Sequence, residues 1–389
     1  MEKITRIKAR EVLDSRGDPT VEVELETESG YRSIASVPSG ASVGSFEAIE
    51  LRDGDNERYG GKGVLKAIEN IKSIVTPAIT GQDVSNQEEI DNTLIGLDGT
   101  PHKSKLGANA ILATSIAVCK AGAMSNKSFL HQYISSLSGF TPTFMPRPMF
   151  NFIEGAKHAD NNLEIQEFLV IPTKDSYKEN YRMASELFHK LKKLLVDRGL
   201  GTAVGHEGGF APQLKSDEEA LRILSELEGI KIGLDMAGII PNGMSIDQML
   251  KTYPIVSLED PYGENDDSNW QELMSKYNNN ILIIGDDNLA TNIEKLNKAV
   301  ESKSVNAAIV KPNQIGTVTE TINFVKEAKS KKLKLVVSHR SGETEDSFIA
   351  DFAVGIASEF LKFGAPSRGE RVSKYNRLLR IEEELFNNA

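Results

Sequence analysis

The sequence predicts an α/β protein, a β/α barrel of the TIM type preceded by a smaller α+β domain. Three observations carry that prediction. Short apolar segments recur through the carboxy-terminal part of the chain, several of them end in an ionisable residue, and helix-period segments lie between them. The amino-terminal part instead combines alternating strands with apolar helices. Three prolines in TPTFMPRP (141–148) separate the two, so the expected domains are 1–140 and 141–389.

The elements follow in order. TVEVELETE (20–28) alternates apolar and acidic side chains, the pattern of a half-buried strand. A turn at Ser29–Gly30 and an extended stretch from Tyr31 to Val37 complete a hairpin. Val64, Leu65, Ile68, Ile71, Ile74 and Val75 recur at helical spacing, with Pro77 as a stop. A second apolar helix is expected at 107–122. Beyond the proline-rich segment, IKIGL runs into Asp235, IVSL into Glu259, ILIIG into Asp286, AAIV into Lys311, LVVS into His339 and FL into Lys362. Successive ends are 23 to 28 residues apart, the length of one strand, one helix and two loops. Helical segments such as 315–330, with Val318, Ile322, Val325 and Ala328 on one face, fill the gaps.

Composition narrows the class. With 389 residues, 39% hydrophobic and 26% charged, the chain is long enough for a sizeable core and ordinary for a folded protein. The net charge of −11 argues against gripping nucleic acid or an anionic membrane, since both need a basic face. Cys119 is the lone cysteine, which excludes an internal disulfide framework and fits a reducing compartment. MEKITRIKAR lacks the apolar centre of a secretion signal, and no run is expected to reach the roughly 18 apolar residues of a membrane span. A cytoplasmic, soluble protein with neither nucleic acid nor membrane as partner is expected.

The strand-end residues have a shared chemistry. Asp235, Glu259 and Asp286 at one barrel mouth would repel one another unless a hard divalent cation lay among them, and all-oxygen ligation points to Mg²⁺. Salt-bridged surface acids are the competing use. Lys311 and Lys362 beside a cation would have depressed pKa values and could act as bases, or each could pair statically with an acid. Removal of a proton α to a carboxylate needs such a base together with cations that hold the developing charge, and a Lys or His base with one or two Mg²⁺ ions meets that need. Glu207 in VGHEGGFAP (204–212) could act as general acid or base, or be a solvated residue of a glycine-rich turn. His206–Glu207 opens like a zinc-protease motif, but residue 210 is Phe, so that reading fails. His158 and Glu167 lie in HADNNLEIQEF, a polar stretch entering a strand, whereas His102, His131 and His189 read as structural. Arg340 and Ser341 offer a forked donor and a hydroxyl suited to phosphate, with an ion pair to Glu343 or Glu345 as the alternative. PSGASVGS (38–45) is a small-residue loop, either a lid or an ordinary turn; neither it nor GGKG (60–63) is a P-loop.

AREVLDSRGDPTVEVEL, VPSGASVG, ELRDGD, DGTPHKSKLGANAI, HADNNLEIQEF, VGHEGGFAP, YPIVSLEDP, GDDN, KPNQIGT, SHRSGETED and RLLRIEEEL together resemble the enolase family over nearly the whole chain. The resemblance implies a ββαα(βα)₆ modified TIM barrel under an α+β capping domain, in a homodimer or higher homo-oligomer. It implies a lyase that reversibly dehydrates 2-phosphoglycerate to phosphoenolpyruvate in glycolysis, with two Mg²⁺ sites, one tight and one filled with substrate. In that scheme Asp235, Glu259 and Asp286 hold the tight ion and Ser42 contributes to the second. Lys311 removes the C2 proton, Lys362 helps to stabilise the enolate, and Glu207, assisted by Glu167, protonates the departing hydroxyl. Arg340 and Ser341 match the phosphate ligands, and His158, Gln166 and His339 match substrate-pocket positions.

The chain departs from the family pattern in loops. Val43 replaces a lid hydroxyl, Glu154–Gly155–Ala156 replaces Asn-Gly-Gly, and Gly238–Ile239–Ile240–Pro241 replaces Ser-Ser-Glu-Phe. Phe363 stands for a threonine after Lys362, and His206 for an acid. Ala156 is expected to forbid a positive φ. A protonated His206 facing the site would lower the pKa of Glu207, but neighbours in an extended segment point opposite ways and His206 can face outward. Two other functions compete: the same chemistry on a related acid such as a phosphonate analogue, which the loop changes would suit, and a non-catalytic enolase-like binding protein, which a broken metal triad would mark.

Overall fold

The computed structural model describes residues 1–40 and 46–386, so Ser42 and Val43 lie outside the described residues. Two compact units divide the chain. One comprises Met1–Thr143, Lys311–Lys326 and Arg340–Ala357, the other Phe144–Val310, Glu327–His339 and Ser358–Ala389.

The first unit contains a three-stranded antiparallel sheet of β1 (Ile4–Leu13), β2 (Pro19–Thr27) and β3 (Arg32–Ser36), in that spatial order. The alternation read in TVEVELETE sets its faces. Val21, Val23 and Leu25 are fully buried, while Glu22 and Glu24 take the opposite side and pair with Arg10 of β1. Gly30, at φ +84°, closes the expected hairpin.

Two expectations for this unit are corrected. The helix Ala108–Ser125 does reach the length and apolarity of a membrane span, 18 residues at a mean hydropathy of 1.2. It packs on β2 and β3 and is buried along most of its length, and a helix that is apolar all round belongs in a core. Nor does Pro77 stop the preceding helix. Leu65–Asn70 runs into a π turn, Ile71–Val75, and continues through Thr76–Ile79. The wider π turn gives the ring room, and Pro77 sits in the first turn of the last segment, where a missing N–H costs least.

In the second unit eight strands close into a barrel: β4 (Arg147–Glu154), β5 (Glu167–Pro172), β6 (Ile230–Asp235), β7 (Ile255–Glu259), β8 (Leu282–Gly285), β9 (Ala307–Val310), β10 (Lys334–Ser338) and β11 (Phe360–Lys362). Two helices, Tyr177–Asp197 and Asp217–Leu224, follow β5, and one strand then alternates with helix to the end, so the order is ββαα(βα)₆. Neighbouring strands are parallel except that β5 runs antiparallel to β4 and β6. Because β5 is reversed, its first residue lies at the end of the barrel where the other strands finish. Glu154 of β4 is therefore in register with Glu167, Glu167 with Asp235, and Asp235 with Glu259, so four acids stand in one row across four strands. Met149, Leu169, Ile171, Ile284, Ala307, Ile309 and Val336 form a packed cluster of the barrel interior.

Truncating that cluster should be felt directly. Ile309→Ala is expected to destabilise the fold by about 2–5 kcal/mol in urea denaturation, because a fully packed site collapses poorly around a cavity. Ile239→Ala, at a side chain 46% exposed, should stay within about 0.5 kcal/mol.

Candidate active site

Three members of the barrel's acid row surround a lysine. Lys362, the last residue of β11, is 1% exposed, and its Nζ lies 3.0 Å from Glu167 Oε2, 3.3 Å from Asp235 Oδ2 and 2.8 Å from Glu259 Oε2. Burial alone would depress its pKa. Glu167, Glu259 and Asp235 outweigh burial and hold it well above the ordinary lysine value. Of the two uses read for Lys362 in the sequence, a base of depressed pKa or a static partner of an acid, these contacts match the second. With three acidic side chains around it, the side chain is a fixed ammonium, suited to stabilising negative charge. Gln166 steadies one of these acids, donating from Nε2 to Asp235 Oδ2 at 3.2 Å, while its N–H donates to the Asp235 carbonyl at 3.0 Å.

Beside this cluster, ligand atoms of His158, Glu167 and Glu207 lie within 4.8 Å of one another. The two carboxyls are driven in opposite directions. Burial, and then repulsion by Glu207, push Glu167 well above the usual carboxylate range. Burial would also raise Glu207, but His339 and His158 outweigh it and hold Glu207 well below that range. The pair thus stores its proton on Glu167 and its charge on Glu207. The His339 ring explains part of this. Its Nδ1 lies 2.7 Å from a nitrogen of Arg371, which can only donate, so Nδ1 accepts and the ring proton is left to Nε2, 2.9 Å from Glu207 Oε2. Asn151 Nδ2 adds a donor to the same Oε2 at 3.3 Å. His158, its own pKa lowered by burial, approaches Glu167 at 3.4 Å and Glu207 at 3.7 Å. His206 is exposed, in line with its outward-facing alternative.

Asp286 lies two residues beyond Ile284, the register partner of Glu259. Its oxygens group with those of Asp260 and Asp287 within 4.8 Å. Asp260 is held by accepting the backbone N–H of both Asp286 and Asp287 at 2.9 Å. Burial, then Asp286 and Asp287, push its pKa well up. Asp235 and Glu259 thus contact the Lys362 ammonium, and Asp286 stands beside Asp260 and Asp287. The donor chemistry, all carboxylate oxygen at strand ends, fits a hard cation such as Mg²⁺.

The remaining predicted residues belong to the first unit. Lys311 is half-buried and stands at the N-cap of the short helix Pro312–Ile315. The Arg340 guanidinium binds Glu47 at 2.8 Å and Asn313 Oδ1 at 2.9 Å, and its backbone N–H donates to Glu343 at 3.1 Å. The ion pair foreseen for Arg340 exists, but with Glu47. Nothing local signalled a partner 293 positions away. The Ser341 carbonyl accepts the Ser15 hydroxyl at 3.2 Å.

Two loop expectations also change. Ala156 does adopt a positive φ, +46°, with its N–H donating to the Leu163 carbonyl at 2.9 Å. The surrounding hydrogen bonds impose a conformation that alanine disfavours by itself. Glu154, which reads in the sequence only as an added charge, is wholly buried. Its carboxyl accepts the N–H groups of Glu207 and Gly209. Burial and then Glu207 push its pKa to about 8.

Two family models match the chain. "Enolase, N-terminal domain" covers residues 4–134, and "Enolase, C-terminal TIM barrel domain" covers 142–238 and 244–389.

The electrostatics give two expected outcomes. Lys362→Met strands Glu167, Asp235 and Glu259 without their cation, and should cost about 3–5 kcal/mol in denaturation at neutral pH, less in acid where carboxyls protonate. The Glu154 carboxyl has a folded pKa raised from 4.5 to about 8. Its protonated form therefore stabilises the fold fully below 4.5, and that contribution is lost as pH rises toward 8. Urea midpoints of the unaltered protein should accordingly fall relative to those of Glu154→Gln across that window.

Proposed function

The chain belongs to the enolase superfamily, and on that premise we propose that it catalyses the reversible dehydration of 2-phosphoglycerate to phosphoenolpyruvate. Enolase-superfamily domains point to a lyase or a related enzyme that uses Mg²⁺, and clustered acidic groups here could bind a metal. The finer reading is supported chiefly by one observation, the buried Lys362 ammonium within 3.3 Å of Glu167, Asp235 and Glu259 at the strand ends of a closed barrel.

Mg²⁺ held by Asp235, Glu259 and Asp286, with a second ion served by Ser42, would supply positive charge to the substrate carboxylate. The chain's own residues do the rest. Lys311 is assigned the removal of the C2 proton, and Lys362 offsets the charge that builds on the enolate. An ammonium fixed beforehand needs no reorganisation as that charge develops. Loss of the C3 hydroxyl needs a proton, and the Glu167–Glu207 pair stores one. In the reverse direction the same pair takes a proton from water. Arg340 with Ser341 is assigned the phosphate, and His158, Gln166 and His339 the substrate's polar groups. We place the protein in the cytoplasm, in glycolysis, as a homodimer or higher homo-oligomer.

A second reading is the same proton chemistry on a related acid, such as a phosphonate analogue. The buried Glu154 carboxyl against the Glu207 loop favours it, because a changed loop can retune substrate choice without removing the chemistry.

Phosphoenolpyruvate formation from 2-phosphoglycerate, followed by its absorbance with and without Mg²⁺, tests both readings. Turnover that requires Mg²⁺ and falls about 10²–10⁴-fold in Lys311→Ala is the expected result. Absence of turnover while Mg²⁺ still raises the melting temperature would move the assignment to the related acid.

A further inference from the structure

We propose that Glu154 is a positioning residue whose carboxyl fixes the 205–209 loop and, through it, the Glu207 carboxylate. Glu154 ends β4, its own N–H donates to the Phe210 carbonyl at 2.9 Å, and its carbonyl accepts Asn161 Nδ2 at 2.8 Å. Its backbone is therefore anchored on both sides, and its side chain has one direction left. One carboxyl oxygen accepts the N–H of Glu207 at 3.1 Å and the other accepts that of Gly209. These two donors straddle Gly208, which takes φ +92° to bring them to the same acceptor group.

Packing makes the arrangement tight. A Cβ added at Gly205 would meet Glu154 Oε2 at 2.2 Å, and one at Gly209 would meet Oε1 at 2.9 Å. Both glycines leave space that the Glu154 carboxyl fills. The loop's other amides find backbone acceptors: Gly205 donates to Gly209 O at 2.9 Å, and His206 to His158 O at 2.9 Å. Arg368 and Arg371 hold its carbonyls, with 3.0 Å from Arg368 to Gly205 O and 3.1 Å from Arg371 to His206 O. Glu154 holds the N–H groups as the two arginines hold the carbonyls, and the Glu207 side chain is thereby kept against His339 and Asn151. Without Glu154, two buried N–H donors lose their acceptors and the loop must move to find others.

The kinetic consequence rests on the reading of Glu207 as a proton carrier in the proposed dehydration, whereas the placement of the loop does not. The experiment therefore has two readouts: amide hydrogen exchange, and steady-state kinetics with 2-phosphoglycerate and Mg²⁺. Glu154→Ala removes both acceptors, and Glu154→Gln keeps the shape but turns an NH₂ toward one donor. Exchange at Glu207 and Gly209 is expected to quicken at least about tenfold in Glu154→Gln and further in Glu154→Ala, while the amide of Leu234 in β6 keeps its rate. kcat should fall about 10²-fold in Glu154→Ala with KM within about threefold, the signature of a misplaced group rather than lost binding. If Glu154→Ala loses protection throughout the barrel, Glu154→Gln decides by the same criterion. Unchanged exchange at the two amides in folded Glu154→Gln overturns the proposal, as does faster exchange with kcat retained. An unaltered protein inactive on 2-phosphoglycerate overturns the functional reading instead, and the exchange result still decides whether Glu154 places the loop.

Discussion

The barrel's active end depends on one electrostatic constraint: three buried acidic side chains from β5, β6 and β7 share the single ammonium of Lys362. Each acid alone would carry a desolvation cost of several kcal/mol, and so would the lysine. Together the four groups are tolerable, provided the geometry is kept. Strand register keeps it. The reversed β5 delivers Glu167 to the same row as Asp235 and Glu259, and a one-residue slip would turn the whole set to the other face. Fold and charge distribution are thus two aspects of one arrangement.

A second consequence is the uneven placement of protons. Glu167 and Glu207 are both buried glutamates, yet one is pushed toward the neutral acid and the other toward the carboxylate. Glu207 differs because the His339 ring, with its tautomer fixed by Arg371, stands 2.9 Å from it, with His158 nearby. Arg371 is fully buried, and it acts on Glu207 in part through the histidine it orients. Two like groups with separated affinities for protons can divide acid and base work between them.

Among the described residues, several departures from the family pattern fall where the backbone is held by its surroundings. Ala156 accepts a positive φ because hydrogen bonds fix the turn, and the Gly238 amide donates to Asp260 O at 2.7 Å while Ile239 and Ile240 stay exposed. Phe363, in place of a hydroxyl residue, is wholly buried and packs near the Tyr375 ring at 6.0 Å. The change at Glu154 differs in kind, since it puts a carboxyl in contact with the loop that carries Glu207. Tolerance in the first group and consequence in the last follow from what each side chain touches.

Much of the barrel was legible in the chain itself. Strand period, βα spacing and the polar residue closing each strand are local properties, and they located β6 to β11 together with Asp235, Glu259 and Lys362. The long motifs carried the family and the ββαα(βα)₆ order. The state and partner of each charge were not legible. Lys362 reads from sequence either as a base beside a cation or as the static partner of an acid, and only closure of the barrel sets it against Asp235 and Glu259, 127 and 103 positions away. Likewise Glu154 reads only as an added charge until β4 buries it against the 205–209 loop. Period and spacing are set by a few neighbouring residues. The pKa, burial and pairing of a side chain depend on every group that folding brings within a few ångströms, and those are decided only by the tertiary structure.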